Sequence, residues 1–181
     1  AIHNNADATM ELTNVTISGN EAYSSGGLSN SGTADLINVT IANNTGDGIG
    51  LFSAGSVVNS ILSGNTDENC GVVMTSFSLG SNLDSDASCG FTGSGDLQDT
   101  PAMLQPLRYV NSTIPTHSPL VDSPVVDSGD PGHCPVNDAR GVTRPLDGDG
   151  TGGAVCDRGA HEYDPVTDKP RTFIPLVGRE S

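Results

Sequence analysis

One short pattern of apolar and polar residues occurs three times in the first part of the chain. The copies are LTNVTISGN at 12–20, LINVTIANN at 36–44 and VVNSILSGN at 57–65. In the first two copies valine and isoleucine lie two residues apart, as on one buried face of a β-strand. The third copy keeps this alternation less well. Each copy is predicted to be a short strand, because the many Gly, Asn, Ser and Thr residues disfavour helices.

The spacing of these copies predicts the architecture. They are offset by 24 and then 21 residues, and a repeat of about 20 to 25 residues with one strand and Gly or Asn corners is typical of a solenoid. A second column of apolar residues, Ile2, Leu28 and Leu51, indicates another inward-facing strand in each coil. We therefore predict an all-β fold, a right-handed parallel β-helix of about four to five coils stacked ~4.8 Å apart.

Asparagines recur at two equivalent positions of the repeat. The first set is Asn14, Asn38 and Asn59, and the second set is Asn20, Asn44 and Asn65. Asparagine tolerates the left-handed backbone of tight corners, and its amide can bond to the equivalent amide one coil away. We predict that both sets form ladders of stacked amides.

The composition divides the chain into three parts. Residues 1–100 carry the repeats and, from Asp67 onward, a looser pattern that predicts one or two further coils. Residues 101–163 are rich in proline, so we predict a capping region of the same domain that folds over the last coil. Residues 164–181 form a tail with an apolar group made of Phe173, Ile174, Leu176 and Val177. Such a group predicts an interaction strand or the remnant of an anchor.

Composition and charge restrict the partners. Aromatic residues make up 4% of the chain and Trp is absent, which suits a narrow core of aliphatic side chains. The formal net charge of −15 repels nucleic acid and anionic lipid. No segment approaches the roughly 20 apolar residues of a membrane span, so we expect no direct membrane insertion. The chain starts without the features of a signal peptide, and we expect a mature or trimmed fragment.

The chain contains four cysteines, which are Cys70, Cys89, Cys134 and Cys156. An even number in an acidic repeat protein favours two disulfides in an oxidising compartment. Three pairings are possible, and we favour local pairing within the first two and within the last two cysteines. Zinc binding is the alternative, because His133 and His161 lie near two of the cysteines, although the CxxC spacing of structural zinc sites is missing.

A candidate calcium site lies in LDGDGTGG at 146–153. Acidic residues alternate there as in the first half of a calcium-binding loop. The predicted ligands are Asp147, Asp149, Thr151 and, from outside the loop, Asp157. Asn137 and Asp138 are alternatives to Asp157, since Arg158 occupies the position where such a loop has a bidentate glutamate. An ordinary turn rich in Gly and Asp is the other interpretation.

We do not expect an enzyme. A polysaccharide lyase of this architecture needs a Lys or Arg base beside acidic calcium ligands, and residues 1–100 contain neither Lys nor Arg. A hydrolase needs paired carboxylates, but the acidic residues of the coils fall mostly in turns or on outward strand faces. No catalytic residues are therefore predicted.

The order of short motifs from about residue 65 onward resembles one family. The motifs GSNLDSDASCGF, SPVVDSGDPGHCP, DARGVTRPLDGDG and CDRGAHEY are similar to those of the choice-of-anchor Q type domain, a right-handed parallel β-helix module with a pectin-lyase-like fold. This module lies at the end of large bacterial surface proteins. The resemblance covers nearly the whole chain, and it implies an extracellular module with disulfides Cys70–Cys89 and Cys134–Cys156 and without catalytic residues.

Repeat, charge and resemblance together predict an extracellular structural module of a bacterial cell surface, with calcium as the candidate cofactor. Because the chain begins in mid-coil, its first coil offers an open edge. We expect end-to-end stacking into a filament with other copies, or stacking on the rest of a longer surface protein. The alternative is a surface protein that binds or cleaves carbohydrate, for which the coils offer few aromatic residues.

Overall fold

The computed structural model describes residues 1–73 and 77–168, and within them the regular structure is all β apart from one 3-10 turn, η1 (Pro131–His133). The strands in chain order are β1 (Ile2–Asn4), β2 (Thr9–Thr13), β3 (Thr16–Ser18), β4 (Leu28–Ile37), β5 (Thr40–Ala42), β6 (Ile49–Val58), β7 (Ile61–Ser63), β8 (Cys70–Val73), β9 (Ser78–Gly80), β10 (Leu83–Asp84), β11 (Leu97–Gln98), β12 (Arg108–Tyr109) and β13 (Pro115–Thr116). No helix among these residues is long and apolar enough to cross a membrane.

Two parallel sheets wind the chain into a solenoid. In the first sheet β4 pairs with β1 and β2 of the preceding coil and with β6 of the next, and β6 pairs with β8 and β9. The second sheet has the order β11-β10-β7-β5-β3. Because neighbouring strands come from successive coils, the chain forms a parallel β-solenoid of about four turns, which confirms the predicted architecture.

The core between the two sheets consists of stacked aliphatic side chains. Ile17, Ile41 and Leu62 are in register on β3, β5 and β7 and are buried, as the repeat predicts. The second predicted column is wrong at one position, because Leu28 pairs with Ile49 and not with Leu51. A register shift places one extra residue, Gly50, in β6. A Cβ at Gly50 would lie 2.5 Å from the carbonyl oxygen of Ser24, so only glycine fits there.

The core is closed at the last coil by three phenylalanines and a disulfide. The ring centroids of Phe52 and Phe77 are 4.8 Å apart, and those of Phe77 and Phe91 are 5.3 Å apart. The disulfide Cys70–Cys89 belongs to the same buried cluster. The loop that carries Cys89 and Phe91 therefore covers the end of the core.

Within the proline-rich region, Ala102 and Leu104 pack with Leu83 and Leu97 of the last coils, and residues 115–163 run along the side of the solenoid. We call residues 115–163 the lateral segment. Its Val125 packs with Ile61 and Leu83 on the outer face of the second sheet. Ile61 is out of phase in the third repeat because it faces this second apolar cluster and not the main core. At Gly159 the segment approaches so closely that a Cβ would lie 2.6 Å from Ile61 Cδ1.

Candidate functional site

The second set of asparagines forms the predicted ladder inside the coils. Asn20 Nδ2 donates to Asn44 Oδ1, and Asn44 Nδ2 donates to Asn65 Oδ1, both at 3.0 Å. Asn65 Nδ2 donates to Asn69 Oδ1 at 2.8 Å, and Asn69 Nδ2 donates to Asp84 Oδ1 at 2.8 Å. The last two members were not predicted, because they do not occupy the repeated position. The ladder thus runs from the first coil to the last.

The first set of asparagines forms no such ladder. Asn14, Asn38 and Asn59 have φ angles of 57°, 52° and 51°, so the predicted left-handed corners are present. Their side-chain amides, however, bond to the lateral segment and not to each other. Asn14 Nδ2, for example, donates to the carbonyl of Asn137 at 2.7 Å. A corner residue with positive φ projects its side chain away from the core, where the lateral segment offers backbone carbonyls.

The other two corner asparagines bind the lateral segment further along. Asn38 Nδ2 donates to the carbonyls of Asp157 (2.8 Å) and Gly159 (3.2 Å). Asn59 Nδ2 donates to the carbonyl of Asp130 at 3.0 Å, and its Oδ1 accepts the Asp130 N–H at 2.6 Å. The first set is therefore a row of three docking points, one on each of three successive coils.

A buried ionic network holds the lateral segment in shape. Arg144 Nη1 lies 3.1 Å from Glu162 Oε2, and the two guanidinium nitrogens also donate to the carbonyls of Asp157 and Gly159. Burial raises the pKa of Glu162 and of Asp157, while the charge of Arg144 opposes both shifts. Arg140 pairs with Asp138 at 2.8 Å. These charges are enclosed and serve to fix the segment.

The lateral segment reaches from the first coil to the last. His117 Nε2 lies 2.8 Å from Ser18 Oγ on the first coil. Arg158 Nη1 donates to the carbonyl of Asn82, beside the last coil, at 2.8 Å. The segment therefore links coils that do not touch each other directly.

Three carboxylates converge on the surface of the lateral segment. Oxygen atoms of Asp127, Asp147 and Asp149 all lie within 4.8 Å of one another. The Asp149 N–H donates to Asp127 Oδ2 at 2.9 Å, which fixes the two loops together. Asp147 Oδ2 accepts the Gly152 N–H at 3.0 Å, whereas Asp147 Oδ1 is buried and finds no donor among the described residues. Burial, together with the charge of Asp149, raises the pKa of Asp127.

The cluster differs from the predicted ligand set. Asp127 was missed because it precedes the loop by 20 residues. Asp157 does not belong to the cluster, since it is 1% exposed and its carboxylate accepts the N–H groups of Asp127 and Tyr163. Thr151 is exposed and its N–H donates to Asp149 Oδ1 at 2.8 Å.

Of the two predicted disulfides, the structure contains Cys70–Cys89. Cys134 and Cys156 are present as thiols. Burial raises the pKa of the Cys156 thiol, and the neighbouring Cys134 raises it further. The histidines of the zinc alternative have other partners, because His133 bonds to a carboxylate of Asp130 and His161 is held at both ring nitrogens by other side chains.

An open groove of about 660 Å³ lies where the coils turn after β3, β5 and β7. It is at the opposite end of these strands from the row of docking asparagines. Tyr23, Glu21 and Asp67 line it together with Thr45 and backbone of the neighbouring coils. This groove could not be predicted from the repeat, because its residues lie in links of unequal length.

The apolar group Phe173, Ile174, Leu176 and Val177, predicted as an interaction strand, lies outside the described residues. Comparisons of the chain with protein-family models, with curated proteins and with solved structures found no match. Function is therefore inferred from the arrangement of the residues.

Proposed function

We propose that the chain is an extracellular structural module of a bacterial cell-surface protein, of the choice-of-anchor Q type that its sequence resembles. The observation that carries this proposal is the attachment of the lateral segment to successive coils through Asn14, Asn38 and Asn59. Through these contacts the lateral segment holds three successive coils together.

The lateral segment changes the mechanics of the solenoid. In a simple solenoid each coil contacts only its neighbours, so a terminal coil can detach alone. Here His117 contacts the first coil while Arg158 contacts the last one. Removing a terminal coil therefore also breaks contacts with the lateral segment. A rigid, cooperative rod of this kind suits a spacer or stalk.

An extracellular location is supported by the disulfide and by the charge. Disulfides persist in oxidising compartments and are rare in the cytosol, and Cys70–Cys89 ties the loop that closes the core. The net charge of −15 keeps a rod soluble and separated from anionic surfaces.

End-to-end assembly is part of this proposal. On the first coil the apolar residues Ile2, Leu12 and Val15 are only partly buried, whereas Leu28 and Leu36 on the second coil are fully buried. β1 and β3 lie at one end of the two sheets, and β8 and β11 lie at the other. A second copy whose last coil, together with its closing loop, contacts β1 and β3 would cover the apolar residues and repeat without closing.

Calcium is the proposed stabilising ion, bound by Asp127, Asp147 and Asp149. A hard cation prefers carboxylate oxygens. The specific observation in favour is Asp147 Oδ1, which is buried without a donor, because an unpaired buried oxygen is costly unless a cation satisfies it.

We propose no catalytic role. Asp157 and Glu162, two carboxylates whose pKa is raised by burial, are enclosed in the lateral segment beside its buried Arg144, where a polymeric substrate does not reach them.

Electron microscopy of the purified chain, with calcium and with a chelator, tests this function. Filaments with an axial repeat of about 20 Å per module, the height of four coils, are expected with calcium. Their loss in chelator would tie assembly to bound calcium. Dispersed monomers under both conditions would contradict the assembly.

Calcium binding is tested separately by thermal unfolding. Calcium at about 100 times its Kd stabilises a folded protein by about 2.7 kcal/mol. We expect such stabilisation in the wild type and in Asp7→Asn, a control at an exposed acid of the first coil, but not in Asp147→Asn. Equal stabilisation in all three proteins would place the ion elsewhere.

A further inference from the structure

Tyr23 stands out among the aromatic side chains. It is 100% exposed, whereas Tyr163 and the three phenylalanines of the core are buried. Because the ring is fully exposed, both of its faces are free to contact a ligand. Tyr23 lines the groove of about 660 Å³ described above, a volume within the usual range of small-molecule sites.

The groove has a floor that the coil stacking fixes. Glu21 and Thr45 form a parallel bridge between the first and second coils, and the Ala22 N–H donates to the Thr45 carbonyl at 3.1 Å. The Gly46 N–H donates to Thr66 Oγ1 of the third coil at 2.9 Å. These bonds hold the links of three coils at constant spacing.

The close approach of the first two links at this floor requires one glycine. Gly46 has a φ of 93°, and a Cβ there would lie 2.4 Å from the carbonyl oxygen of Ala22. Any larger residue would strain the corner and push the first two links apart. The amide ladder lies directly behind, since Asn20 and Asn44 precede Glu21 and Thr45 in the chain. The stacking of the coils thus holds the floor of the groove in place.

We propose that this groove binds a neutral oligosaccharide, with Tyr23 as the platform for a sugar ring and Glu21 and Asp67 as acceptors for sugar hydroxyls. An aromatic face suits the apolar C–H face of a pyranose, and carboxylates accept hydrogen bonds without donating any. The Thr45 hydroxyl offers both a donor and an acceptor. One aromatic ring beside several polar groups matches a sugar, which has an apolar C–H face and a rim of hydroxyls.

The charge around the groove selects the class of sugar. Glu21 and Asp67 line the groove, and residues 1–100 contain no Lys or Arg. Asp47 lies nearby, because its pKa is raised by burial and also by the charge of Asp67. Uronates and sulfated sugars would be repelled. The inference concerns binding alone, and it does not depend on the structural role proposed above.

Affinity gel electrophoresis of the full chain tests this inference. The gels contain amylopectin, xyloglucan or galactomannan as neutral polysaccharides, or polygalacturonate as an anionic one. We expect retardation by at least one neutral polysaccharide and none by polygalacturonate. Tyr23→Ala should weaken the binding about tenfold, whereas Tyr23→Phe, which keeps the ring, should stay within about threefold of wild type.

Tyr109→Ala is the matched control, because Tyr109 is also exposed, at 69%, but does not line the groove. It should bind as the wild type does. Tyr23 is fully exposed, so its variants should unfold at the wild-type temperature. Lack of retardation by all three neutral polysaccharides, equal binding by Tyr23→Ala, or preferential binding of polygalacturonate would each overturn the inference.

Discussion

Replacement of Asn44 by alanine tests whether the amide ladder stabilises the solenoid. Asn44 is fully buried, and its Nδ2 donates to the Ile17 carbonyl at 3.1 Å and to Asn65 Oδ1 at 3.0 Å. Its Oδ1 accepts both the backbone N–H and the Nδ2 of Asn20, each at 3.0 Å. The alanine variant loses these four bonds, and also the longer one from Nδ2 to the Ala42 carbonyl at 3.4 Å.

The expected loss of stability follows from the partners that remain. Asn65 Oδ1 still accepts the backbone N–H of residue 44 at 3.1 Å, so this oxygen keeps a donor. The Ile17 carbonyl and the Asn20 backbone N–H lose the bonds that Asn44 made. A buried group left unpaired costs about 1 to 3 kcal/mol, and water partly compensates Asn20 because it is only half-buried. We expect Asn44→Ala to lower the free energy of unfolding by about 2 to 4 kcal/mol.

Urea unfolding followed by circular dichroism measures this change. Asn5→Ala is the control, since Asn5 is exposed, and it should stay within about 0.5 kcal/mol of the wild type. If Asn44→Ala unfolds with the same midpoint as Asn5→Ala, the amide ladder contributes no net stability and the argument from stacked amides is refuted.

Three further predictions concern the docking row, the disulfide and pH. Asn38→Gly keeps the corner with φ of 52° but removes two bonds to the lateral segment, and should cost about 1 kcal/mol in urea unfolding because Arg144 still satisfies both carbonyls. Replacing both Cys70 and Cys89 by serine opens a link between residues 19 apart and should cost about 3 kcal/mol in the same assay. Burial lowers the pKa of His117 below 6.5. The unfolded chain therefore binds more protons below that pH, and His117 should remove up to about 1.4 kcal/mol of stability per pH unit on acidification. His117→Gln should show a shallower loss between pH 7 and 5, and an unchanged slope would contradict this assignment.

The repeat could be predicted from the sequence because it depends on side-chain alternation and on regular spacing. Ile17, Ile41 and Leu62 are in register for this reason. The extra residue at Gly50 could not be predicted, because a register shift leaves the order of apolar residues unchanged.

The role of the docking asparagines could not be predicted either. The two sets of asparagines repeat with the same spacing. Yet the amide of Asn38, in the first set, faces the lateral segment, whereas the amide of Asn44, in the second set, faces the core. The partners of Asn38 are backbone carbonyls, which every residue type has, so the residue types do not indicate which carbonyls Asn38 binds. For the same reason the lateral position of residues 115–163 has no signal in the sequence.

The acidic cluster could be predicted only in part. Asp147 and Asp149 belong to one loop, and their alternation was visible in the sequence. Asp127 reaches them through tertiary structure, through its bond from the Asp149 N–H. Asp157 has the right residue type for a ligand, but the buried network of the lateral segment takes up its carboxylate.

Amide hydrogen exchange of the native protein tests the central claim most directly, namely that the lateral segment and the coils form one braced rod. The Gly159 N–H donates to the Asn59 carbonyl at 2.7 Å and the Ala160 N–H donates to Thr40 Oγ1 at 3.0 Å, whereas the Ile61 N–H belongs to the coils themselves. If the segment braces the coils, the amides of Gly159 and Ala160 should be protected as strongly as that of Ile61. Rapid exchange at Gly159 and Ala160 beside a protected Ile61 would mean that the segment opens independently, and would contradict the braced rod.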